Sequence, residues 1–379
     1  MRRFNFGRVN ISERLECPRR VKLLILACAL AAALAVISVI LLFMGFNPFD
    51  VYAKMLTGSL GSLYSFKWVL TRTIPLALTS VGILYTFRIR FWNIGGEGQI
   101  FMGAFAASAV ALFAPEASRP LTLLLMAAAG FAGGAVWALI PGLFKVFRNM
   151  NETIVTLMLN YIAVRWISYL QYSAWKDPGS LGFPKIKFFP QRAILPEFLG
   201  IHAGFYILIF ITIFTFVLFR YTKFGFRMSI LGESDDTARY VRLKKTSLTL
   251  LSVAISGGIC GITGMIQASA VNNTLNVSVT SGVGFTAIII SWLSNMNPVV
   301  CVLVAFLFST LSEGASYIQT VFRIPESIAM LIQSIVMLFV IGSTFFTRYS
   351  LTVKGHDESL PPGPGAPGAT GAETRREEV

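Results

Sequence analysis

Charge is scarce in this chain. Only 13% of its 379 residues are Asp, Glu, Lys or Arg, while 55% are hydrophobic. A soluble domain usually carries about 25% charged residues. Too little polar stock remains to cover a water-exposed surface. That argues against a soluble enzyme, a disordered chain or a disulfide-knit secreted module. The mean hydropathy of +0.68 points to a membrane protein with many spans.

Other shortages narrow the chemistry. There are two histidines, His202 and His356, too few for a His-based metal centre. The four cysteines, Cys17, Cys28, Cys260 and Cys301, show no CxxC spacing, and three lie in apolar runs. They read as free buried thiols. No GxxxxGK[ST] is present, so the chain carries no phosphate-binding loop of its own. It has no HExxH and no Ser/His/Asp set. Asp235–Asp236 reads as a solvated loop pair and not a metal site. No cofactor is expected, and an enzyme reading has little support.

What is present is a series of long apolar runs. Val21–Phe43 is long enough to cross about 30 Å of hydrocarbon, and no small-residue cleavage site follows it. Further runs cover about 68–87, 98–114, 121–144, 152–174, 203–220, 246–269, 283–295, 298–315 and 327–347. The expectation is an all-α polytopic membrane protein of about ten helices. The 283–295 run is short, so that span is tilted, broken or differently bounded. Residues 1–20 form a basic N-terminus, 21–347 the transmembrane domain and 348–379 a tail. From Ser359 the tail has almost no apolar residues and is expected to be disordered. Asn47–Leu63 reads as an interfacial helix or a connector. Trp175–Gly200, with four prolines, reads as an irregular loop.

The net charge of +14 and pI of about 9.9 would suggest nucleic acid in a soluble protein. In a membrane protein they report orientation, because Lys and Arg gather in cytoplasmic loops. With both termini inside, 22 of the 32 basic residues lie on the cytoplasmic side and eight outside, with Arg72 and Arg165 within spans. Seven of the 22 fall in the cytoplasmic loop 220–245. The expectation is N-in, C-in, with the lipid bilayer and no nucleic acid as partner.

Four motifs stand out. In Phe91-Trp92-Asn93-Ile94-Gly95-Gly96-Glu97-Gly98-Gln99, three glycines permit close backbone approach or unwinding. A carboxylate among apolar helices needs a partner or water, and Glu97 also complements a helix N-terminus. A tight turn with a capping acid is the simpler alternative. In Asn151–Tyr161, Thr153, Thr156 and Asn160 share a helical face that serves packing or a water-filled path. Further along, Arg165 marks either a functional site or an ion pair with Glu97 or Glu313. Ser281-Gly282-Val283-Gly284-Phe285-Thr286 punctuates the eighth span as the first motif punctuates the third. Two inverted five-helix halves would explain the pairing. The fourth motif, Tyr221–Tyr240, can form a short amphipathic helix that docks into a partner's groove.

At these motifs the chain resembles the permease subunit of an ABC importer. More narrowly, it is similar to the nucleoside and simple-sugar branch of the branched-chain amino acid and ribose permease superfamily. FWNIGGEGQIFMGAFAA, NETIVTLMLNYIA, TKFGFRMSILGES with the following ARY, and SGGICGITGMIQ at Ser256–Gln267 carry the likeness. It implies two cytoplasmic ATP-binding domains on other chains, a second permease (by preference a different chain) and an extracytoplasmic substrate-binding protein. It also implies that Gly232, Glu233, Ser234, Ala238 and Arg239 belong to a loop that couples to the ATPase. The chain departs from the family at Ser234-Asp235, Val241-Arg242 and Gly284–Ile289, where the family usually has Asn-Pro, Ala-Gly and a Gly-Phe-Asp-Gly-Ile-Ala-like segment.

The expectation is a permease in the bacterial inner membrane, working by alternating access on a nucleoside or related sugar. Asn93, Glu97, Asn160 and Arg165 are expected to line or gate the path. Phe91 and Trp92 either stack on a base or anchor at the interface. The rival readings are an ion-coupled secondary transporter using Glu97 or Glu313, and a membrane-embedded lipid-modifying enzyme.

Overall fold

Unpaired backbone polar groups are too costly in hydrocarbon, so an apolar chain must close its hydrogen bonds as helices or a barrel. The computed structural model describes residues 4–6, 9–13, 18–180, 182, 184–198 and 200–353. They fold almost entirely as helices. In chain order they form β1 (Phe4–Phe6), β2 (Val9–Glu13), α1 (Arg19–Phe43), α2 (Pro48–Leu60), α3 (Leu63–Phe87), α4 (Gly96–Phe113), α5 (Arg119–Arg148) and α6 (Glu152–Tyr169). Then follow β3 (Glu197–Phe198), β4 (Ile201–His202), α7 (Gly204–Tyr221), α8 (Lys223–Glu233), α9 (Asp235–Tyr240), α10 (Lys245–Ile266), α11 (Val283–Leu293), α12 (Pro298–Phe322), α13 (Glu326–Arg348) and β5 (Tyr349–Val353).

Among the described residues nine helices are long and apolar enough to cross a membrane. The tenth, α11, has 11 residues. At 1.5 Å per residue it is roughly 16 Å long, about half the hydrocarbon thickness. The short eighth run is therefore a half-length helix. An irregular segment precedes it, opened by a π turn at Gln267–Val271 and closed by Gly282 at φ +76°.

Strand β2 pairs antiparallel with β5, Val9 opposite Val353 and Glu13 opposite Tyr349. The start of α1 and the end of α13 thus share one end of the bundle, here the terminal end. Residues 349–353, expected to begin a disordered tail, form a strand because β2 satisfies their backbone. The rest of the tail, 354–379, lies outside the described residues.

Helices α4, α5 and α10 pack most extensively against one another. Glycine permits this closeness. A Cβ on Gly103 of α4 or on Gly134 of α5 would strike the backbone of Gly261 in α10. Lipid offers no hydrophobic drive for helix association, so small residues that let backbones touch must supply it through dispersion. The segment Ser256–Gln267 is this contact face.

At the far end, α2 lies between α3 and α12 and buries Val51 and Met55. Its Gly58 abuts the ring of Tyr317. The proline-rich stretch is packed rather than loose. Ile186, Phe189, Ala193 and Leu195 are buried, Phe189 N–H donates to Asn273 O at 2.9 Å, and Leu195 N–H donates to Ser269 Oγ at 3.1 Å. His202 in β4 is buried with neither ring nitrogen hydrogen-bonded. Burial pushes its pKa down to about 4.

Candidate functional site

The turn after α3 re-enters the bundle instead of leaving it. Phe91, Asn93, Gly95 and Gly96 are buried, and Gly96 at the start of α4 lies beside Ile83 and Thr79 of α3. Helix α4 therefore begins inside the bundle, as α11 does. A buried non-helical segment must have its backbone groups satisfied by side chains, and those side chains are the polar residues of the first two motifs.

Asn160 of α6 accepts from Gly98 N–H through Oδ1 and donates from Nδ2 to Ile94 O, both at 2.9 Å. Thr156 Oγ1 accepts from Ile94 N–H at 3.3 Å, and Glu152 Oε1 accepts from Trp92 N–H at 3.4 Å. Lys145 Nζ sits 2.9 Å from the other oxygen of Glu152. Asn93 exchanges amide hydrogen bonds with Gln99 at 3.3 and 3.1 Å. It also donates to Ser256 Oγ of α10 at 3.4 Å. The polar face of α6 is thus Glu152–Thr156–Asn160, at i, i+4 and i+8, in place of the Thr153–Thr156–Asn160 stripe read from sequence. Asn151 caps the helix by accepting from Thr153 N–H at 3.0 Å.

Glu97 joins the two interrupted helices. Its Oε1 accepts from Gly282 N–H at 3.1 Å and its Oε2 from Gly284 N–H at 2.7 Å. One carboxylate in the first turn of α4 therefore meets the open N–H groups at the start of α11, where the helix dipole favours negative charge. Gly284 leaves no room for a side chain, since a Cβ there would strike Glu97.

The expected path residues separate into two groups. Asn93, Glu97 and Asn160 are buried near one another, Asn160 and Glu97 bonded to backbone groups and Asn93 to Gln99, Ser256 and the Gly95 N–H. Arg165 does not join them. It faces out of the bundle on the exposed side of α6, and Glu313 pairs instead with Arg72. The spacing along α6 explains this, because Arg165 lies off the Glu152–Thr156–Asn160 face. Phe91 is a core residue, 3% exposed. Trp92 is 45% exposed and stacks on Trp292 of α11 at 5.2 Å between ring centroids. Sequence patterning gave no hint of Trp292 as its partner.

The expected coupling residues lie at the terminal end. Ser234 caps α9, accepting from Thr237 N–H at 3.3 Å. Ala238 is buried, while Glu233 and Arg239 are exposed. Gly232 sits on the carbonyl of Arg88, too close for any Cβ. Arg88 donates from Nε and Nη2 to Ser229 Oγ of α8 at 3.1 and 2.8 Å. Its guanidinium lies 4.5 Å from the ring centre of Phe219. Arg88 and Ser229 escaped the sequence reading, because their pairing spans 141 residues. A cavity of about 580 Å³ is lined by Arg88, Trp92, Ser229, Gly232, Glu233 and Trp292. The α8–α9 loop thus touches the turn that leads into Trp92, Glu97 and α11. Among the described residues no cluster of His, Cys, Asp and Glu fits a metal ion.

Comparison with known proteins supplies the biological frame. Residues 65–341 match the family described as branched-chain amino acid transport system, permease component. A glucose ABC transporter permease of Haloferax volcanii is 30% identical over 337 residues, covering 85% of this chain and 88% of that one. A guanosine ABC transporter permease of Bacillus subtilis is 28% identical, covering 85% and 93%. A nucleoside ABC transporter permease of Lactococcus lactis is 25% identical, covering 80% and 86%.

Proposed function

This chain belongs to the family of branched-chain amino acid transport system permease components, and from that premise we propose that its solute is a nucleoside or a related simple sugar. It is the membrane-spanning subunit of an ABC transporter and not an enzyme in its own right. The printed activities of its relatives, with glucose, guanosine and nucleosides as solutes, support that solute class. The family membership sets aside the ion-coupled transporter and the lipid-modifying enzyme.

The partners follow from the mechanism. Two ATP-binding domains on other chains dock on the α8–α9 loop, a second permease completes the path, and a substrate-binding protein delivers the solute. The setting is the bacterial cytoplasmic membrane. The terminal end, with its excess of Lys and Arg, faces the cytoplasm.

One observation carries the mechanical reading: Gly232 and Ser229 of α8 rest on Arg88. Nine residues beyond Arg88 stands Glu97, which holds the start of α11. Movement of the docked ATPase therefore reaches the half-length helix through one short segment, largely buried and hydrogen-bonded by side chains of α6. A packed segment of this kind passes on displacement instead of absorbing it. Asn93 and Asn160 act as positioning residues for that segment, and Glu97 as the pin that ties it to α11. A helix that starts inside the bundle, with N–H groups aimed at a buried charge, is a recurrent element of alternating access.

The test is reconstitution. The permease pair, its ATPases and its binding protein are assembled in proteoliposomes, and ATP-dependent accumulation of radiolabelled uridine and glucose is measured. Uptake of either supports the solute class. Uptake of neither by an assembled, ATP-hydrolysing complex rejects it. Accumulation by the permease alone, without ATP, rejects ATP-driven import.

A further inference from the structure

Arg72 lies nine residues into α3, about 14 Å along the helix axis from its far-end start. A charge at such depth in a membrane protein is costly and needs a partner or a water-filled cavity. It has both. Nε of Arg72 is 2.8 Å from Oε2 of Glu313 in α12, and Nη1 donates to Ser312 Oγ at 3.4 Å. Both helices border a cavity of about 490 Å³ that is lined also by α13 and by the start of α11.

The cavity wall is mixed, with polar side chains set among apolar ones. Gln267, Gln319 and Gln333 line it, and among the described residues no protein group bonds their side-chain amides. Ser309 Oγ is buried with no partner, and Glu313 Oε2 receives no aligned hydrogen bond despite its contact with Arg72. Each unmet buried polar group costs about 1–3 kcal/mol. Ser309 Oγ is such a group in the wall, and the three glutamine amides set donors and acceptors around the same space, as a pocket for a polar guest does.

The charge balance selects the guest. One guanidinium and one carboxylate are already paired, so the cavity is neutral. An anion would add a second negative charge beside Glu313, which the single guanidinium does not balance. A neutral polyol adds no charge beside this pair, and its hydroxyls can accept from Arg72, which lines the cavity. The free glutamine amides can bond further hydroxyls or a base edge. Trp68, at the rim one turn before Arg72, is 43% exposed and offers a flat apolar face. Ser281, Val283 and Thr286 in the wall bracket the two glycines held by Glu97.

We infer that this cavity between α3, α12 and α13 is a solute-binding site that takes a neutral polyhydroxylated molecule and excludes its phosphorylated forms. The inference rests on the permease reading and gives it a location within a single chain. The pinned end of α11 lines it, so the helix that the ATPase moves also bounds the site.

The experiment uses the assembled complex in nanodiscs without its binding protein. Equilibrium binding of radiolabelled uridine, glucose and uridine monophosphate is measured. Uridine or glucose is expected to bind at least tenfold more tightly than the monophosphate. Gln319→Leu and Gln333→Leu should each weaken that binding at least fivefold. The exchange variant carrying both Arg72→Glu and Glu313→Arg keeps an ion pair, so a merely structural pair would tolerate it; binding is expected to be lost while the subunits still copurify. Equal binding of the monophosphate, or wild-type binding by the exchange variant, overturns the site. If the complete wild-type complex imports uridine or glucose while this binding is absent, the inference fails and the permease reading stands. If it imports neither, the solute reading fails and the inference falls with it.

Discussion

Glu97 and Gly284 are joined by a 2.7 Å hydrogen bond across 187 residues of sequence, carboxylate to backbone N–H, at the point where α4 and α11 both begin. A side chain on Gly284 has no space, and a shorter residue at 97 cannot reach. The contact makes two interrupted helices one mechanical unit.

Loss of that unit is testable at the carboxylate. Glu97→Gln retains one acceptor oxygen for two N–H groups and replaces a charge-assisted bond with a neutral one. Such a bond contributes about 1.5–3 kcal/mol. Uptake is expected to fall about tenfold or more while the complex still copurifies. Wild-type uptake by Glu97→Gln would remove the pin from the mechanism.

The glycine contact between α4, α5 and α10 predicts a different phenotype. Gly261→Leu drives a side chain into the backbone of Gly130. Overpacking with backbone displacement costs about 1–3 kcal/mol or more. The variant should lose its monodisperse peak in detergent chromatography, whereas Gly342→Ala, with open space around it, should keep it.

Coupling should fail without loss of ATPase activity. Gly232→Leu cannot rest on the Arg88 carbonyl, and Ser229→Ala removes the acceptor for Arg88. Both are expected to leave basal ATP hydrolysis intact and to abolish its stimulation by the loaded binding protein. Unaltered stimulation in both would place the ATPase contact elsewhere on the chain.

His202 predicts a pH dependence of stability. Its pKa is about 4 when folded and about 6.5 when unfolded. The folded state resists the proton, so stability is intact above about pH 6.5 and declines as pH falls toward 4. The full difference corresponds to at most about 3 kcal/mol. The melting temperature in detergent should drop between pH 7 and pH 5, and His202→Met should flatten that drop. An equal drop in the variant would assign it to other groups.

Much of the architecture was legible in the residues. Hydrocarbon tolerates only elements that satisfy their own backbone, so apolar length alone located the spans, including the half-length run at 283–295. Polar residues are rare in this chain, which is why NIGGEGQ, Asn160 and the Ser281–Thr286 segment stood out. The role assigned to them needed adjustment. Asn93 and Asn160 bond a re-entrant backbone, Phe91 is core, and Arg165 faces away from them all.

By itself, then, the sequence determined the material and its limits: a helical membrane chain with no nucleotide-binding motif, its basic residues gathered toward one side. Those are sums and periods, and every residue contributes to them independently. Tertiary structure alone decided which polar group meets which. Arg72 finds Glu313 across 241 positions, and Arg88 finds Ser229 across 141. No local pattern encodes such pairs, because each depends on how two distant helices are rotated and at what depth they cross. The same holds for the glycines at the α4, α5 and α10 contacts, where backbones distant in sequence come close enough to exclude a side chain.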